Sequence, residues 1–133
     1  MKRISCAILL ITCVLYATAQ VFVESKIDSI QILIGEQTGV TLSVTARKGS
    51  RVEMPVFKPS QYITPGVEVL ENSVADTSQL DNGLVKITKK YVLTSFDENL
   101  YYLPPMKVKV DGKVYKSKNL ALKVLTVPVD TLH

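Results

Sequence analysis

Of the side chains that ordinarily carry catalysis or bind metals, the chain holds one histidine, His133 at the last position, and two cysteines, Cys6 and Cys13. A histidine on a terminal tail makes no buried nucleophile–base pair, and zinc needs Cys or His ligands in number. Asp76, Ser78 and Asp81, followed by Asn82-Gly83, offer oxygens, but they miss the EF-hand spacing and its bidentate Glu, so they read as a polar turn. Gly35-Glu36-Gln37-Thr38-Gly39 is not followed by Gly-Lys-Ser/Thr and leads into a strand, which reads as a hairpin connection rather than a phosphate loop. Asp97 and Glu98 are adjacent, and a turn sends adjacent carboxylates apart rather than across a glycosidic bond. The expectation is a protein that is not an enzyme and that uses no cofactor and no metal.

Two clusters remain. Between positions 107 and 123 lie six lysines, Lys107, Lys109, Lys113, Lys116, Lys118 and Lys123, against the single acidic residue Asp111. Lysines of this kind guard a sheet edge against aggregation, or they form a docking surface for an acidic partner or anionic headgroups. Lys107, Lys109, Lys116, Lys118 and Lys123 are the candidate partner surface. Tyr91, Phe96, Tyr101 and Tyr102 form the second cluster. It reads as core packing, with Tyr101 or Tyr102 as a tyrosine-corner residue, or as a stacking platform for a glycan or other small molecule.

Met1-Lys2-Arg3, an apolar run from Ile4 to Tyr16, and Ala17-Thr18-Ala19 predict a signal peptide over residues 1–19. The run is shorter than the roughly 20 apolar residues of a spanning helix. Its removal would take Lys2, Arg3 and both cysteines, leaving 14 basic against 12 acidic residues and no disulfide. Bulk charge then gives no reason to expect nucleic acid as a partner, and stability must come from a hydrophobic core. The expected location is exported, periplasmic or membrane-associated on the extracytoplasmic side.

Period-two alternation dominates residues 20–127, with no helical stripe, so this segment is expected to be one all-β domain, with residues 128–133 as a tail. Ile30, Ile32 and Ile34 predict a strand that pairs across the Gly35–Gly39 turn with Val40, Leu42, Val44 and Ala46. Val52 to Val56 is limited by Pro55 and Pro59 to an edge or short piece. Val67 and Val69 follow a Pro-Gly turn, and Val85, Ile87, Tyr91 and Leu93 share one face of a long strand. Residues 71–83 receive no assignment. Leu100 to Val110 predicts a strand interrupted by Pro104-Pro105, Asp111-Gly112 a type I′ hairpin turn, and Leu120, Leu122 and Val124 the last strand. About seven to eight short antiparallel strands predict an immunoglobulin-like β-sandwich.

The segments Lys90-Tyr91-Val92-Leu93-Thr94, Leu100-Tyr101-Tyr102-Leu103-Pro104-Pro105-Met106-Lys107-Val108, Val110-Asp111-Gly112-Lys113-Val114-Tyr115-Lys116-Ser117 and Leu120-Ala121-Leu122-Lys123-Val124 resemble the BatD, or oxygen-tolerance (aerotolerance), family. Gly66-Val67-Glu68-Val69-Leu70 is similar to that family's strand before its variable loop. Tyr91, Tyr102, Pro104, Pro105, Asp111, Gly112 and Tyr115 carry the motif. The resemblance implies a non-catalytic, extracytoplasmic Ig-like domain linked to oxidative or envelope stress, with von Willebrand factor A-type membrane proteins and a MoxR-type ATPase system as partners. Family members usually carry several such domains and then a membrane segment, so the expectation is either an anchor beyond His133 or an exported form localised by a partner. Affinity is expected at a sheet edge or the lysine-rich face rather than in a pocket.

Overall fold

The computed structural model describes residues 21–126; the expected signal peptide with its cysteines, and the expected tail with His133, lie outside them. Alternating apolar residues build the first layer. In β3 (Gln37–Arg47) Val40, Leu42, Val44 and Ala46 are all buried, and β3 pairs along its whole length with β8 (Leu84–Thr94), where Tyr91 and Leu93 take the same inward face. β1 (Phe22–Ile27) flanks β3, and β6 (Val67–Asn72) flanks β8 and pairs in turn with β5 (Gln61–Thr64). The order β1-β3-β8-β6 is the one that an immunoglobulin-like sandwich uses in its first sheet. Residues 71–83 complete β6 and add β7 (Asp76–Gln79), a wholly exposed strand on β8, before a 3₁₀ turn at Asp81–Gly83.

The second layer comes in two three-stranded pieces, β2-β12-β9 and β11-β10-β4, from β2 (Gln31–Leu33), β4 (Val52–Glu53), β9 (Asn99–Leu103), β10 (Lys107–Val110), β11 (Lys113–Lys116) and β12 (Leu120–Leu125). They are halves of one long hairpin. Leu103 opposes Leu120 above the interruption and Lys107 opposes Lys116 below it, with the register unchanged between them. Pro104 and Pro105 have no N–H to give to a ladder, so pairing lapses there. Ser117 closes the gap: its N–H donates to the Met106 carbonyl at 2.9 Å and its Oγ accepts the Met106 N–H at 2.8 Å.

The interruption also reverses which residues face inward. Tyr101 and Leu103 are buried before the prolines, and Met106, Val108 and Val110 after them, a change from odd to even positions. The partner strand changes in step, from Ser117 to Leu122 and Val124. The turn at its tip has the expected type I′ geometry, with φ of 50° at Asp111 and 84° at Gly112. Asp111 further ties the tip to the chain entering β4, since its Oδ1 accepts the Arg51 N–H at 2.9 Å.

Three local expectations change. The chain from β2 to β3 is not a hairpin: β2 runs parallel to β12 in the second layer, and Ile34-Gly35-Glu36 carries the chain across to the first. Pairing with β12 therefore adds one parallel ladder to an otherwise antiparallel molecule. Ile30 lies outside the three-residue strand and is exposed, so only Ile32 of the isoleucine series is fully buried. Among the described residues the strands number twelve rather than seven or eight, because the long hairpin is cut twice and β1, β5 and β7 are strands of weak apolar pattern.

Between the layers, Tyr91 is completely buried and its hydroxyl donates to the Pro55 carbonyl at 2.6 Å, while Phe57 meets its ring edge-on at 5.6 Å. Asn72 holds the same segment by accepting from the Phe57 N–H at 2.9 Å and donating to its carbonyl at 2.6 Å. Lys89 has inward parity opposite Leu42, and its stem carries Nζ out to the Pro55 carbonyl at 3.4 Å. Burial pushes the Tyr91 phenol well above its ordinary value, because a phenolate there would lose its hydration. The protonated form is the one the fold favours, so this contribution is complete below about pH 10 and is lost as pH rises above it. Denaturant titrations of Tyr91→Phe are expected to show a loss of about 0.5–1.5 kcal/mol at pH 7 from the lost hydroxyl–carbonyl hydrogen bond, the Pro55 carbonyl keeping Lys89, together with a shallower decline in stability above about pH 10 than the wild type.

Candidate interaction surface

The phase reversal at Pro104-Pro105 decides where the lysines go. On β9 and β10 the inward positions are apolar above and below the break, so the outward positions become Leu100 and Tyr102, then Lys107 and Lys109. On the other strand they are Val114 and Lys116, then Ala121 and Lys123. Lys118 sits exposed in the segment between. All five candidate lysines, Lys107, Lys109, Lys116, Lys118 and Lys123, thus belong to one layer, divided into two groups. Lys107, Lys109 and Lys116 cover the β10–β11 half around Val114, which is 47% exposed. Lys118 and Lys123 border a shallow groove of about 450 Å³ floored by Ile27, Ile30, Leu100 and Leu120.

None of these lysines pairs with a carboxylate among the described residues, whose ion pairs are Lys26–Glu24, Arg51–Glu53 and Lys90–Asp28. Lys107 and Lys116 stand directly opposite each other, an arrangement that places like charges side by side and disfavours the pairing. Lys113, at the turn, lies with Nζ 5.5 Å from the centre of the Tyr115 ring.

The aromatic cluster does not assemble into a platform. Tyr91 and Tyr101 are buried, whereas Phe96 and Tyr102 are exposed, Tyr102 to 69%. Tyr101 is the corner residue: its hydroxyl donates to the Asp97 carbonyl at 3.0 Å, four residues upstream. Its ring also covers Gly66, where φ is +93° and a Cβ would fall within 2.6 to 2.9 Å of ring atoms and the hydroxyl. Tyr101 therefore locks the β5–β6 turn onto β9. Of the motif residues, Pro104 and Pro105 set the break, Asp111 and Gly112 the turn, Tyr91 the core, and Tyr115 a half-buried contact below the break. Tyr102 alone among them is outward and uncommitted.

A family model for the BatD DUF11-like domain matches residues 25–124. The chain belongs to the BatD family. The match begins within β1 and ends within β12, so it spans the whole sandwich, including the hairpin on which the lysines lie. No curated protein matches the chain. Within this BatD-type domain, Ser117 and Asn72 are structural residues that periodicity alone does not reveal. Ser117 stands at a fixed place in the Asp-Gly-Lys-x-Tyr-x-Ser segment, which is the one sequence signal for it.

Two outcomes follow from this geometry. Gly66→Ala is expected to destabilise the domain by about 2 kcal/mol or more, from the left-handed backbone and the displaced Tyr101 ring, measured by urea denaturation. Lys116→Glu is expected to raise stability by about 0.2–1 kcal/mol by replacing a repulsive cross-strand pair with an attractive one, measured in the same way at low salt.

Proposed function

We propose that this BatD-type domain is an exported, non-catalytic interaction module that scaffolds an envelope-associated assembly linked to stress or oxygen tolerance. The observation that carries the reading is the lysine-bearing layer, where five exposed lysines make no ion pair among the described residues; Lys109 faces Glu53 across the ladder, whereas Lys107 and Lys116 oppose each other at a cost in stability. A face that is less stable than it need be, and that exposes Val114, Leu100 and Tyr102 among its charges, has the composition of a surface completed by an acidic partner. By family resemblance, the partners proposed are von Willebrand factor A-type membrane proteins acting with a MoxR-type ATPase system. The periplasmic or membrane-associated location rests on the signal-like residues 1–19 and on that resemblance.

The glycan or small-molecule reading loses its main support, because the tyrosines it needed are split between core and surface. Binding of the purified protein to the extracytoplasmic part of a von Willebrand A-type protein from the same organism tests the proposal. The wild type is expected to bind, and a Lys107→Gln/Lys109→Gln/Lys116→Gln variant to bind at least tenfold more weakly with unchanged folding. Equal binding by both would remove the lysine face from the function.

A further inference from the structure

The open edge of β11 indicates what kind of segment the basic face receives. The Asp111 N–H donates to the Arg51 carbonyl, so Lys109 and Asp111 turn their backbone toward β4, and Val108 and Val110 turn theirs toward β11. Their partners Tyr115 and Lys113 use their amides and carbonyls in that ladder, as Ser117 does with Met106. The amides and carbonyls of Val114 and Lys116 therefore point away from the sheet, and no group among the described residues bonds them.

The edge of the other half is treated differently. At β2 the Leu33 N–H donates to the Glu36 carboxylate at 2.6 Å, the Leu33 carbonyl accepts the Glu36 N–H at 3.0 Å, and the Gln31 carbonyl accepts the Ser29 hydroxyl at 2.7 Å. One outer edge is closed by hydrogen bonds from its own flanking residues, and the other keeps its backbone groups free, guarded only by the charges of Lys113 and Lys116.

Charge selects the occupant. A second copy of β11 would bring its own Lys116 onto the face that already carries Lys107, Lys109 and Lys116, which disfavours self-pairing. A strand with acidic residues on its outer face would set them beside Val114 and Lys116, with Lys107 and Lys109 one strand further in, about 10 Å away. Its alternate residues would lie next to the half-buried Tyr115, a place for apolar side chains. We infer that β11 takes up, by strand addition, an extended segment of a partner protein in which acidic and apolar residues alternate. The inference rests on the interaction reading above and adds the binding mode and the chemistry of the partner.

The test uses the purified protein with a blocked seven-residue peptide alternating Glu with Val and Thr, and the decisive variant is Val114→Pro. Proline removes the outward N–H of the edge while leaving every lysine and the β10 ladder in place, a position where sheets tolerate it. The peptide is expected to bind the wild type and to slow amide exchange at Val114 and Lys116, with affinity falling at least tenfold in both Val114→Pro and Lys116→Glu. Binding by Val114→Pro within twofold of the wild type would overturn strand addition while leaving the charged face as an interaction surface. Absence of peptide binding, or binding only to anionic phospholipid vesicles that Val114→Pro leaves unchanged, would overturn it as well. Should Val114→Pro fail to fold, exchange in the wild type decides: slowing at Val114 and Lys116 supports the proposal, and unchanged rates contradict it.

Discussion

Two consecutive prolines have no amide hydrogens to give, and the second layer of this sandwich is arranged around that lack. At Pro104-Pro105 the long hairpin stops pairing for three residues and resumes in the same register with its inward face changed from odd to even positions. Both strands make the change together, so the core loses nothing: Tyr101 and Leu103 fill it above, Met106, Val108 and Val110 below. Ser117 supplies from its side chain the bond that the Met106 amide would otherwise lack. An unbroken alternation would have carried Lys107 and Lys109 into the core with Leu103. The reversal sends them outward instead, and the basic face is the result.

The rest of the molecule holds this hairpin against the first layer without a disulfide among the described residues. Tyr91 does so from the centre of β8, reaching across to Pro55 and meeting Phe57, while Tyr101 reaches back from β9 to the Asp97 carbonyl and covers Gly66. Each buries a large ring and satisfies its hydroxyl, which is the condition for a tyrosine to serve inside a core. The aromatic residues spend their rings on joining layers, and the outward surface is left to lysines with scattered apolar side chains. Architecture and proposed function therefore divide the same stretch of sequence between inward and outward positions.

Much of this was legible in the sequence because β3, β8 and the Asp111-Gly112 turn follow strict rules. Val40, Leu42, Val44 and Ala46 alternate without a break, and Asp-Gly between apolar residues admits few other conformations. β1 was not legible, since its inward positions are Val23, Ser25 and Ile27 and the buried Ser25 hydroxyl weakens the pattern. β7 was not legible either: Asp76-Thr77-Ser78-Gln79 buries nothing, and it is a strand only because β8 offers a free ladder. The parallel pairing of β2 with β12 is a long-range choice that local periodicity cannot encode, and a Gly-flanked polar loop resembles a hairpin from either side. The lysine surface was visible as a cluster, but its division and the opposition of Lys107 to Lys116 depend on register.

Thiol reactivity along the hairpin tests the phase reversal most directly. Single cysteines would replace Leu100, Tyr102, Met106, Lys107, Val108 and Lys109 in turn, and labelling rates under native conditions would be compared with those of the unfolded chain. The account predicts fast labelling at 100 and 102 and again at 107 and 109, with protection at 106 and 108. Fast labelling at 106 and 108 with protection at 107 and 109 would show an alternation unbroken by the prolines, and would contradict both the architecture of the second layer and the basic face built on it.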